Sequence, residues 1–276
     1  MIVLSGVPSS LNAVLKLASD FAGLFKVCGI YVAVKWVVLV LINFPHVLKS
    51  GDLQAADRAM GPGPFVVRRG GSRAILTGIQ IFSGLREIWV RDVYLRDDFL
   101  SIPRNALVVD LGANRGIFST LALAQHESVT VIAVEPSVDL LESLNKCVSA
   151  NGWSERITCV RGFIGTFTDT QRTALSEASD YSGAPTIAEA DFISQNSLSK
   201  IDFLKCDIEG SEFFMLDPDS QLLGMSDRLA IELHNWGGDI DIFLGHLTRI
   251  GFEIGHIEWA HDSCIALCRR NTLGLK

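Results

Sequence analysis

The sequence has no dense cluster of lysine and arginine; adjacent basic pairs occur at Arg68-Arg69 and Arg269-Arg270. With a formal charge of -7 the surface repels phosphate backbones, so nucleic acid is not expected as a partner. CxxC and HxxxH spacings are both missing, and with them any zinc signature. His256, His261, Cys264 and Cys268 lie near one another in sequence but read as chance occupants of a hairpin, and no metal site is expected there. Six cysteines are too few for a disulfide scaffold in 276 residues. Their apolar neighbours mark most of them as buried thiols, which fits a reducing cytoplasm. Repeats and low-complexity tracts are absent too.

An uncharged apolar run of membrane-spanning length is also lacking. Residues 24–44, LFKVCGIYVAVKWVVLVLINF, carry Lys26 and Lys35, and the clean stretch 36–42 falls far short of the roughly 20 residues a span requires. No small-residue cleavage site follows, which argues against a signal peptide. Two readings remain. Residues 24–44 either pack on the protein as a helix or lie on a membrane surface, with the lysines reaching the headgroups. The second would make this segment a peripheral membrane contact.

What is present favours order: 48% hydrophobic and 20% charged residues supply a large core. Gly61-Pro62-Gly63-Pro64 interrupts regular structure and Gly70-Gly71 follows soon after. Residues 1–60 therefore read as an apolar helical segment, and 61–105 as a short mixed region, a candidate lid or acceptor contact. Residues 106–276 alternate strand and helix. Apolar strands are expected at 107–109, 129–134, 157–160, 201–204 and 229–233, with helices over 116–125 and 138–150. Such alternation implies a mostly parallel sheet covered by helices on both faces. Residues 252–257 and 264–268 flank a short turn and must pair antiparallel.

The sharpest local signal is Asp110-Leu111-Gly112-Ala113-Asn114-Arg115-Gly116, after a strand and opening a helix. Glycines allow a tight turn and close approach of a ligand, and the helix start offers free N–H groups to an anion. The dinucleotide fingerprint G-x-G-x-x-G fails because position 114 is Asn, which excludes a nicotinamide dehydrogenase. Glu135, followed by Pro136, closes the next strand, where a carboxylate can accept both hydrogen bonds of a ribose diol. After the third strand, Phe163 stands between Gly162 and Gly165 and is a candidate flat wall for a base.

Asp207 and Glu209 end the fourth strand region and Glu232 and His234 the fifth. Residues two apart on a strand share a face, so parallel neighbours bring all four together beside the glycine loop. Titratable groups converging in a cleft suit proton chemistry.

The segments VVDLGANRGIFST (108–120), VIAVEPS (131–137), IDFLKCDIEGSEFFML (201–216) and LAIELHN (229–235) resemble those of the FkbM-type methyltransferases, with EIWVRDVY (87–94) similar to the stretch that precedes the core there. The resemblance spans about residues 88–257 and leaves the apolar N-terminus aside. Cys206 stands where an aliphatic residue is usual in that family.

The resemblance implies an α/β fold of the class I methyltransferase, Rossmann-like type, with a mostly parallel sheet, a C-terminal antiparallel hairpin and an N-terminal helical or mixed appendage. It also implies S-adenosylmethionine as methyl donor. O-methylation of a hydroxyl on a sugar, glycolipid or natural product is then expected, with a small-molecule or glycan acceptor as the partner. By that carry-over Asp110, Gly112, Ala113, Asn114 and Gly116 serve the methionine end, Glu135 and Pro136 the ribose, and Asp207 the vicinity of the methyl group.

His234 or Glu209 is the expected general base, since an alcohol needs an acceptor for its proton. A divalent ion held by Asp207, Glu209 and Glu232 is a less favoured alternative. A non-catalytic cofactor-binding or membrane-associated module is the rival reading of the whole chain. Acceptor contacts are expected from residues 50–105 and from the loop-rich stretch 166–195.

Overall fold

Helical spacing of apolar residues in the N-terminal segment produces α1 (Ser9–Cys28), α2 (Ile30–Ile42), α3 (Phe44–Ser50) and the short α4 (Gln54–Ala59). The structure is a computed structural model that describes residues 9–50, 52–96, 99–165 and 181–271, with side chains from residue 15 onward. Gly29, at φ 88, separates α1 from α2, a conformation that costs glycine little. One inner stripe, Leu24, Val27, Ala33, Trp36 and Val40, is buried, and it joins the same apolar core as Phe82, Leu85, Trp89, Phe118 and Phe203. Burying a leucine, valine or phenylalanine of this set contributes about 1.5–3 kcal/mol. The segment is thus packed on the rest of the protein.

The mixed region forms the antiparallel hairpin β1 (Phe65–Arg69) and β2 (Ser72–Leu76), turned at Gly70 and Gly71. Helix α5 (Ile81–Gly84) runs into a π-helical stretch, Leu85–Val90. Here Arg86 is buried and donates to Asp20 at 2.5 Å and to Asp57 at 2.6 Å, while Trp36 Nε1 donates to Asp57 at 2.9 Å. The guanidinium also lies 5.1 Å from the Trp36 ring centroid. Charges taken out of water need such partners, and these fix α1, α2 and α4 to the stretch that leads into the core.

The core strands are β3 (Leu107–Leu111), β4 (Thr130–Val134), β5 (Ile157–Val160), the small pair β6 (Phe163–Ile164) and β7 (Thr186–Ile187), then β8 (Phe203–Cys206), β9 (Arg228–His234), β10 (Phe252–Trp259) and β11 (Ser263–Arg270). Helix α6 (Ile117–Gln125) follows β3, and α7 (Val138–Ala150) follows β4. Seven strands make one sheet in the order β10-β11-β9-β8-β3-β4-β5. The run from β9 to β5 is parallel, and β11 inserts antiparallel between β9 and β10. This is the class I methyltransferase-type Rossmann-like sheet with its closing hairpin.

One strand departs from expectation. The apolar run 201–204 places it two residues early, because Lys205 looks like a strand end. In the structure β8 runs through Lys205 and Cys206, and Ile201 makes only a lone bridge to Ser226. Sheet order reverses between β3 and β8, so their carboxyl ends open a crevice.

Candidate active site

Beyond Leu111 the chain turns through Gly112 (φ 75), Asn114 (φ 50) and Gly116 (φ 72) into α6. The amides of Gly112 and Ala113 donate to the Val134 carbonyl at 3.0 and 2.9 Å, which ties the loop to the tip of β4. A Cβ on Gly112 would overlap the Asp207 carbonyl, so the tips of β3 and β8 can approach only at a glycine. At Gly116 the obstacle would be Leu144 of α7, a packing role rather than a ligand role. Asn114 holds a left-handed conformation that side chains seldom adopt, a strain that collects at functional sites.

Asp110 is fully buried beneath this loop. Its Oδ2 accepts from the Ser119 hydroxyl at 2.6 Å, and Lys205 Nζ stands 3.4 Å from Oδ1. Lys205 is 3% exposed and donates to the carbonyls of Leu111 (3.3 Å) and Gly112 (2.7 Å), with Asp207 Oδ2 at 3.6 Å. Burial works against its charge, but Asp110 and Asp207 outweigh it and hold the ammonium above its usual range. Asp207 also accepts from the Tyr94 hydroxyl at 3.0 Å.

Glu135, 4% exposed, is fixed by two backbone donors: Asn114 N to Oε2 and Ser137 N to Oε1, each at 2.9 Å. Burial pushes its pKa up, and these two amides oppose the rise. The carboxylate faces a cavity of about 320 Å³ that is also lined by Gly112, Asn114, Pro136, Phe163, Asp207 and Glu209. Tyr181 lines it as well, its ring 5.8 Å from that of Phe163.

Behind Asp207 and Glu209 lies His234, 5% exposed. Its Nδ1 donates to Glu212 Oε1 at 3.0 Å; that oxygen also accepts from Ile208 N and Gly210 N. Nε2 stands 3.7 Å from Glu209 and 3.9 Å from Glu232, and the Trp236 ring lies 4.4 Å away. Burial alone would lower the imidazole pKa, but Glu212, Asp207 and Glu209 raise it to about 9. Glu232 accepts from the Ser263 hydroxyl at 2.8 Å. Burial and Asp207 push it up to about 7. Ligand atoms of Asp207, Glu209 and His234 lie within 4.8 Å of one another, close enough to share a metal ion.

Of the residues singled out from sequence, Gly112, Asn114, Glu135, Pro136, Phe163, Asp207 and Glu209 line one cavity. Asp110 is buried beneath the loop, Ala113 and Gly116 are buried members of it, and Glu232 and His234 do not line the cavity. The metal-capable set takes His234 where Glu232 was expected.

Lys205, Glu212 and Tyr94 are structural partners that the sequence reading missed. A lysine inside FLKC and a glutamate directly followed by FFML were the available signals, each a charge amid apolar neighbours. Tyr94 comes from the expected acceptor region 50–105, whereas residues 166–180 lie outside the described residues. Among the described residues all six cysteines are free, four of them buried.

No curated protein matches the chain. Among solved structures it is similar to a protein of the NADB-Rossmann superfamily from Streptococcus agalactiae, at 20% identity, covering 63% of this chain and 66% of that one, with a TM-score of 0.38. It is also similar to an uncharacterized protein from Listeria monocytogenes serotype 4b, at 14% identity, 63% and 66% coverage and a TM-score of 0.40. A third is TrmK of M. capricolum in complex with S-adenosyl-homocysteine, at 12% identity, 60% and 62% coverage and a TM-score of 0.40. The chain spans just under two thirds of the length of these three. The profile of the methyltransferase FkbM domain matches residues 110–254, more than half of the chain. That match takes in the glycine loop, Glu135 and the Asp207–Glu209 tip, which gather around one cavity, and this chain belongs to the FkbM methyltransferase family.

Proposed function

We propose that the protein transfers the methyl group of S-adenosylmethionine to a hydroxyl oxygen of a sugar, glycolipid or natural product. The observation that carries this reading is Glu135: a buried carboxylate, locked by two amides at a strand tip, on the wall of the cavity that Asp207 and Glu209 also line. A volume of about 320 Å³ falls in the range of small-molecule sites. Its residues suit that cofactor: a carboxylate for the ribose diol, aromatic Phe163 for the base, and a backbone at Gly112 that lets a ligand come close.

When bound, the cofactor supplies an activated methyl on a good leaving group. The chain's own residues orient the acceptor and remove its proton. Glu209 is the base in this reading, because it faces the cavity while His234 does not. His234, 3.7 Å from Glu209 and 3.9 Å from Glu232 and held in its charged form by Glu212, favours the carboxylate form of both. The grouping of Asp207, Glu209 and His234 supports a second mechanism in which a divalent ion lowers the pKa of the hydroxyl.

Calorimetry with S-adenosylhomocysteine, followed by mass spectrometry of hydroxylated acceptors incubated with S-adenosylmethionine, tests the proposal. Saturable binding and a methylated product that Glu209→Gln abolishes is the expected result. Binding without product on any acceptor would favour a non-catalytic module, and no binding would end the proposal.

A further inference from the structure

Among the described residues sixteen large apolar side chains stand exposed, and ten of them fall between residues 15 and 48. On α2 they are Ile30, Tyr31, Val34, Val38, Leu41 and Ile42, a single stripe at helical spacing opposite buried Ala33, Trp36 and Val40. Phe25 on the neighbouring α1 and Phe44 and Leu48 on the neighbouring α3 stand exposed as well. Soluble proteins seldom leave so much contiguous apolar surface in water.

Charge indicates what covers this surface. From residue 15 to 50 the charged residues are Lys16, Asp20, Lys26, Lys35 and Lys49. The one acid, Asp20, is buried and paired with Arg86 and Arg91. On α1, α2 and α3 the exposed charges from residue 15 onward are therefore Lys16, Lys26 and Lys49, all positive in a chain whose total is -7, while Lys35 is half-buried and donates to the Met60 carbonyl. A second copy docked symmetrically would set these lysines against one another. An anionic lipid surface satisfies both the apolar stripe and the cationic rim.

The geometry also fixes how such a surface would be met. Helix α2 has 13 residues, about 20 Å of rise against a hydrocarbon core of about 30 Å. Its inner face is held to the protein through Trp36 and Asp57. Among the described residues no single helix is long and apolar enough to cross a membrane, and α2 with α3, which pass such a test together, are bent by 71°.

We propose that α1, α2 and α3 form an in-plane attachment surface for an anionic lipid bilayer, with the apolar stripe inserted and the lysines at headgroup level. The proposal is independent of methyl transfer. Flotation of the full chain with phosphatidylcholine–phosphatidylglycerol vesicles, compared with phosphatidylcholine alone, tests it. Co-flotation is expected with the mixed vesicles, weaker with the neutral ones and reduced by salt. The triple variant Val34→Glu/Val38→Glu/Leu41→Glu should lose vesicle binding by roughly tenfold or more. The milder pair Tyr31→Ser/Leu48→Ser should weaken it with circular dichroism unchanged.

Lys26→Glu/Lys49→Glu should abolish the preference for anionic lipid, and Ile242→Glu, exposed on a C-terminal helix, should change nothing. Absence of co-flotation with either vesicle overturns the proposal, whether light scattering then finds a monomer or a dimer that the triple variant splits. Retention in the membrane after alkaline extraction would overturn it in favour of a span.

Discussion

The Nδ1 of His234 lies 3.0 Å from the Oε1 of Glu212, a carboxylate with no solvent exposure. A histidine whose pKa is about 9 when folded and near 6.5 when unfolded contributes stability that is complete below about pH 6.5 and gone above about pH 9. Removing the carboxylate's charge removes most of that contribution. Urea denaturation of Glu212→Gln should therefore show a deficit against wild type that is larger at pH 6 than at pH 10 by on the order of 2 kcal/mol. An equal deficit at both pH values would mean that the pair is not charged in the folded state.

Lys205 holds Asp110 and Asp207 in place from a site that water does not reach. Removing one partner of a buried ion pair leaves an uncompensated charge, at a cost of about 3–5 kcal/mol. Lys205→Met is expected to lose that much stability in chemical denaturation. A loss below 1 kcal/mol, no more than an exposed pair is worth, would show that the ammonium is dispensable.

Glu135→Gln keeps the shape of the side chain but presents an amide in place of a second carboxylate oxygen. Affinity for S-adenosylhomocysteine is expected to fall roughly 10–100-fold, about 1.4–2.7 kcal/mol, and the melting temperature to fall with it, because the amide of Asn114 or Ser137 then faces an NH2 group instead of an acceptor. Unchanged affinity in calorimetry would remove Glu135 from the ribose contact.

Turnover is expected to survive treatment with a chelator, because a metal on His234 Nε2 would have to displace a proton that three carboxylates stabilise. Loss of activity that magnesium or manganese restores would instead make Asp207, Glu209 and His234 a metal centre.

Much of this site was legible because its signals are local. A glycine loop between strand and helix, and carboxylates at strand ends, need only the order of elements to reach one crevice, and Gly112, Glu135, Phe163, Asp207 and Glu209 all arrive there. The contacts that escaped join residues far apart in sequence. Tyr94 meets Asp207, and Lys205 reaches back to the loop at 111–112. His234 was placed on the correct strand end, yet its depth depends on Glu212 and Trp236, which no spacing rule orients. The span of β8 differs from the expected 201–204 for a related reason. A lysine reads as solvent-facing until a buried aspartate is known to await it.

Arg86 is held by one carboxylate from α1 and another from α4. A fragment cut to the boundaries of the family match would dispense with both the guanidinium and its acids, and would lay bare the side of α6 on which residues 85–90 pack. Trimming at residue 60 would remove both acids and, with Trp36 and the inner stripe of α1 and α2, the apolar cover over Leu85 and Trp89, leaving that surface and Arg86 open to water. Expression of either shortened form is expected to yield aggregate, and a soluble, cooperatively unfolding fragment would show that the sheet and its helices fold without residues 1–60.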